Sequence, residues 1–136
     1  NVVPVTRLNV LSDIPWEKYL DFADEFRALF SYDYTKRANR LGKTPNNYRL
    51  MFSYSKADGF QNQVKIALRH DVPITAVFRN GLPQTFLDMP VYDGDVSDIE
   101  NLYQTNKVIG LRVKGYEAKK SNSPFIIDNP ELIAAA

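Results

Sequence analysis

The chain has no cysteine and a single histidine, His70. The first absence excludes a disulfide framework, a thiolate nucleophile, and zinc or iron–sulfur sites built on sulfur. The second means that one chain cannot supply a two-histidine metal site, and that a Ser–His–Asp triad would have to use His70. That residue precedes Asp71 at an expected helix end, where the helix dipole favours a surface imidazole. No apolar run nears the roughly 18 residues of a membrane span, and nothing reads as a signal peptide. These absences favour a cytoplasmic protein, or one held within an assembly, with no membrane partner. No glycine-rich phosphate loop follows a strand, no internal repeat occurs, and no cofactor is implied. The chain begins at Asn1 rather than Met, which points to processing or trimming.

A third scarcity is local. Residues 81–106 contain no Lys or Arg but five acids. Residues 36–80 directly before them hold nine Lys/Arg against two Asp/Glu. The whole chain is nearly neutral at +1, so this segregation is its main compositional signal. Separate basic and acidic surfaces suit an anionic partner, or head-to-tail contact between copies.

The 136 residues correspond to one domain, long enough to bury a core without staples. Residues 1–11 and 120–136 read as extended arms, because each combines prolines and apolar residues without clean periodicity. In residues 13–30, Trp16, Leu20, Ala23, Phe26 and Phe30 recur at helical spacing, Ser12 or Asp13 can cap, and Pro15 fits a first turn. A long N-terminal helix is predicted there. Residues 48–54 alternate as a strand, and 58–70 read as a helix capped by Asp58. Asn80-Gly81, between two apolar stretches, predicts a hairpin of Ile74–Arg79 with Leu82–Leu87. A short helix over 97–105 and a strand over 107–116 follow. The expected fold is α+β: a mixed or mainly antiparallel sheet of four to five strands, a long N-terminal helix and two shorter ones.

Three stretches carry candidate chemistry. Asp93, Asp95 and Asp98 begin like a calcium loop, but no glycine stands at position six and Gln104 replaces the closing Glu. Ser97 and Glu100 instead fit a capping box, and no metal site is expected. Glu117-Ala118-Lys119 has the acid–lysine spacing of PD-(D/E)xK nucleases, for which Asp95 or Asp98 would supply the earlier magnesium ligand. Tyr34, Lys36, Arg37, Arg40, Lys43, Arg49 and Lys56 interleave cations with aromatics, the combination that neutralises phosphates and stacks bases. No coherent catalytic set accompanies them. The favoured reading is a non-enzymatic assembly or interaction protein, a structural subunit binding protein partners or itself through its arms and charged faces. A nucleic-acid-binding module centred on 32–56 is the alternative, and a magnesium-dependent nuclease the third.

Overall fold

The structure, a computed structural model, describes residues 2–134. Eight strands form one mixed sheet: β1 (Val5–Arg7), β2 (Phe30–Thr35), β3 (Tyr48–Ser53), β4 (Ile74–Arg79), β5 (Thr85–Phe86), β6 (Met89–Asp93), β7 (Val108–Arg112) and β8 (Ile126–Asp128). Four helices accompany them: α1 (Gln61–Arg69), α2 (Asp98–Asn101), α3 (Tyr116–Lys120) and α4 (Pro130–Ala134). The strand order is β1-β2-β3-β4-β7-β6-β5, with β8 also against β4. Every pairing is parallel except β5 with β6. The expected sheet, mixed or mainly antiparallel with four to five strands, is therefore wrong in strand number, and the mixed sheet observed is almost wholly parallel.

The expected hairpin at Asn80-Gly81 fails for a topological reason. Both residues have positive φ (62° and 92°), so the turn itself has the anticipated backbone. But β7 flanks β4 on one side, while β3 and then β8 share the other. No flank remains for the chain leaving the turn. The true hairpin lies one step later. Phe86 pairs with Met89, and the two residues between, Leu87 and Asp88, adopt φ of 53° and 59°. That is the positive-φ pair a tight turn needs, built without glycine.

The long N-terminal helix does not form either. Residues 16–18 make one 3₁₀ turn, and residues 22–28 are separate turns. In a helix, the Phe26 carbonyl would accept from the N–H of Phe30. Here the Phe30 N–H donates to Pro4 across the β1–β2 pairing, at 3.1 Å. The Asn47 side-chain amide donates instead to the carbonyls of Phe22, Phe26 and Leu29, at 2.7, 3.1 and 3.2 Å. One side chain and one strand thus take the acceptor and donor groups that helix propagation requires. Phe22 is buried, and Trp16, Leu20 and Phe26 lie against the same core. Only part of the stripe packs on this core: Ala23 is exposed, and Phe30 joins the cluster on the opposite face.

The first three crossovers all run over one face. Phe22, Leu41, Val64 and Ala67 from those connections pack on Tyr48, Leu50, Phe52 and Ile74. Helix α1 matches the expected helix, although Asp58 does not cap it. The opposite face is far less covered. Only Leu102, after α2, closes a small cluster there with Tyr32, Met51 and Ile109. Parallel sheets are normally buried on both faces, so a half-open face marks a surface meant to be filled.

Each terminal segment read as an arm gives one three-residue strand to the sheet. Segment 1–11 supplies β1, and 120–136 supplies β8, with Ile127 packed against Ala76, Phe78 and Val108. Residues 1, 135 and 136 lie outside the described residues.

Candidate ligand-binding cleft

Because the strands run parallel, their carboxyl ends share one edge of the sheet. In open parallel sheets, ligands bind in the crevice beyond those ends. A cleft of about 1120 Å³ lies there on the open face. Its floor is apolar, from Val77, Leu111 and Ile126. Arg7, Tyr34 and Lys36, at the ends of β1 and β2, form one wall, and Asp95, Asp98 and Arg112 the other. The β3–β4 register ends at Ser53, and β8 continues along β4 from Val77 onward. Ile126 enters the floor by that splice.

The first wall is cationic. The Arg7 guanidinium lies 4.7 Å from the Tyr34 ring centre, and its Nε donates to the Asn9 carbonyl at 3.1 Å. The Lys36 ammonium lies 3.9 Å from the Phe125 ring centre. Among the described residues, neither cation is ion-paired with a carboxylate. Two uncompensated cations thus border an apolar floor.

Between the walls, Asp98 accepts hydrogen bonds from both Tyr34, at 2.8 Å, and Tyr32, at 3.2 Å. Burial, then the Asp98 hydrogen bond, pushes the Tyr34 hydroxyl well above its ordinary range. Burial and the Asp98 charge raise Tyr32 as well. On the far side of the sheet, burial and the Asp33 hydrogen bond do the same to Tyr48. A folded-state pKa above the unfolded one contributes stability that is complete below the unfolded value. It is lost as pH rises through the folded value. Alkaline titration should therefore show these tyrosines ionising only as the fold is lost, above the unfolded tyrosine pKa of about 10. Phenolate absorbance followed alongside circular dichroism checks this. Complete phenolate formation before any loss of structure would contradict the assignment.

A buried polar network holds the cationic wall in place. Asp13 accepts from the Thr35 hydroxyl at 2.8 Å, the Lys36 backbone N–H at 2.8 Å and the Arg40 Nη1 at 2.6 Å. Arg40 also grips Glu17 with Nε and Nη2, at 3.0 and 2.8 Å, and donates to the Tyr48 hydroxyl at 2.9 Å. Tyr48 in turn donates to Asp33 at 2.5 Å, and Asp33 accepts the Asn9 N–H at 2.6 Å. Burial works against the Arg40 charge, but the Glu17 and Asp13 bonds outweigh it and raise its pKa. Arg40 is only 2% exposed, so it cannot contact nucleic acid as the sequence suggested. It reaches the cleft through Asp13 and the backbone of Lys36.

The other predicted residues separate. Tyr34 and Lys36 line the cleft. Arg37, Lys43 and Lys56 are exposed outside its lining. Arg49 stands at the opposite end of the sheet, beside Tyr103 at 4.8 Å. The acidic segment pairs with the end of β7 rather than with the basic segment. Arg112 bridges Asp93 and Asp95 at 2.9 and 3.1 Å, and Lys114 lies 3.2 Å from Asp95. Burial works against the Asp95 charge, but hydrogen bonds from Arg112 and Lys114 hold its carboxyl below the usual range. Ser97 caps α2 by accepting the Glu100 N–H at 3.3 Å, whereas the Glu100 carboxylate accepts from Tyr92 instead of reaching back. Glu117 and Lys119 are exposed on α3. Among the described residues, no three acids or histidines gather as a metal site, and Asp95 and Asp98 are engaged by Arg112 with Lys114 and by Tyr32 with Tyr34.

Local pattern does not reveal Arg7, Asn9 and Ile126 as cleft residues. They come from the two ends of the chain and meet the cleft only through the pairings of β1 and β8.

The sequence model of a family described as gene product 88 matches residues 1–129. No curated protein and no solved structure matches the chain.

Proposed function

This chain belongs to the gene product 88 family, and we propose that it is a binding protein whose cleft takes an anionic ligand of the nucleotide class. One observation carries the reading: Arg7 and Lys36, without carboxylate partners among the described residues, stand beside aromatic rings at the carboxyl edge of a parallel sheet. Cations neutralise phosphate, while rings and an apolar floor accept a base. Asp98 and Asp95, on the facing wall, are already engaged by Tyr32 with Tyr34 and by Arg112 with Lys114, so the cations of the first wall set the charge of the ligand. Assembly, the reading favoured from the sequence, retains one support. Strand β1 is an unpaired edge with Val3 and Val5 exposed, which is open to pairing with another chain.

A labelled dinucleotide titrated by fluorescence anisotropy tests the cleft. Arg7→Gln and Lys36→Gln should each weaken binding about tenfold, since one charge-assisted hydrogen bond is worth about 1.5 kcal/mol or more. Affinity should fall steeply with salt, as phosphate contacts require. Absence of binding at low salt would refute the reading.

A further inference from the structure

We infer that the ligand is a strand: single-stranded nucleic acid laid across the open face of the sheet, from Arg7 and Lys36 at one edge, past α2, to Arg49 and Lys107 at the other. This rests on the nucleotide reading of the cleft and extends it to a second set of contacts.

The register places the second set on the same face as the cleft. Arg7 pairs with Tyr32, and Tyr32 with Arg49. Tyr92 pairs with Ile109, two positions after Lys107 on the same side of β7. Ile109, Tyr32 and Met51 belong to one cluster on that face, so all these side chains share it. There the cation–ring arrangement of the cleft recurs. Arg49 lies 4.8 Å from the Tyr103 ring centre and 5.9 Å from that of Phe30, and Lys107 lies 5.7 Å from that of Tyr92. Among the described residues, neither Arg49 nor Lys107 is in an ion pair. On the crossover side, Arg40 with Tyr48 is buried within the polar network, and the ring that Lys36 meets, Phe125, packs on Phe60.

Two separated cation groups on one open face suit a polyanion. An α-helix with its side chains is about 10–12 Å across, so a mononucleotide in the cleft does not also reach the cations beyond α2. A strand spans both. The acids between them are already hydrogen-bonded. Asp98 holds the two β2 tyrosines, and Glu100 accepts from Tyr92. They steer phosphates to either side of α2 rather than over it. Tyr103, 60% exposed, offers a ring surface to an unpaired base. Base pairs in a duplex are stacked on each other and present no free face, so the aromatics select a single strand.

The test is a length series of labelled oligodeoxythymidylates, measured by anisotropy against the wild type, an Arg49→Ala/Lys107→Ala variant and a Tyr103→Ala variant. These residues are exposed or half-buried, and thermal melts confirm that each variant folds. Affinity is expected to rise at least tenfold from a dinucleotide to a length of about eight, within the usual site size of about 4–16 nucleotides. The double variant should remove that gain while leaving dinucleotide affinity unchanged, and Tyr103→Ala should lose about fivefold on the long strand alone. Length-independent affinity would overturn the strand and leave the nucleotide cleft intact. Equal binding of a duplex of the same length would overturn the single-strand selection. If the dinucleotide does not bind and Arg7→Gln has no effect on any length, the cleft reading itself fails.

Discussion

Replacing Arg40 with methionine is expected to cost about 3–5 kcal/mol of stability, the penalty for breaking one partner out of a buried ion pair. The Glu17 side chain is 4% exposed and receives two of the guanidinium's hydrogen bonds. Without Arg40, that carboxylate stays buried with no counter-charge, and the Tyr48 hydroxyl loses its donor. Arg40→Lys should recover only part of the loss. A single ammonium cannot reproduce the forked contact with Glu17 while also reaching Asp13 and Tyr48. Pairing Arg40→Met with Glu17→Leu should be less damaging than Arg40→Met alone, because the orphaned charge is removed with its partner. Denaturant melts of the three variants check the order. Equal stabilities would show that the network is not energetically coupled. Since Asp13 also holds the Lys36 backbone, Arg40→Met examined below its melting temperature should weaken cleft binding as well.

Placing a charge at Ile127 should be at least as severe. Ile127 is 8% exposed in β8 and packs with Ala76, Phe78 and Val108 in the middle of the sheet. Ile127→Asp removes a buried side chain and puts a carboxylate in its place. A loss of about 4 kcal/mol or more is expected, from cavity formation together with polar burial. A free terminal arm would show no change in melting temperature on the same substitution. The comparison therefore separates a structural strand from an arm by a wide margin.

Individual strands were legible in the sequence, and their partners were not. The runs at 48–53, 74–79 and 108–112 are strands as expected. "ITAVF" and "VIGL" are nearly continuous apolar runs, the pattern of strands buried on both faces of a parallel sheet. The strong turn signal at Asn80-Gly81 outweighed that pattern, and it describes only local backbone, not which strand follows on which flank. The stripe from Trp16 to Phe30 is split: Trp16, Leu20 and Phe26 pack on the core, whereas Ala23 is exposed and Phe30 faces the other side. Its helical spacing misled because Asn47, distant in sequence, captures three of the carbonyls. Similarly, Tyr34 and Lys36 were legible as candidates because cation and ring adjoin in sequence. Arg40 has the same local signature but is buried by Glu17 and Asp13, which local pattern cannot reveal. Arg7 and Ile126 lie 119 positions apart in the chain, and only the sheet topology brings both to one cleft.

The most direct test of the cleft is amide chemical-shift mapping by NMR during titration with a dinucleotide. Shifts are expected at Arg7, Asn9, Tyr34, Lys36 and Asp98, with the β5–β6 hairpin at the far edge of the sheet unmoved. Shifts centred on that hairpin or on α1, with Arg7 and Lys36 unchanged, would contradict the proposed cleft.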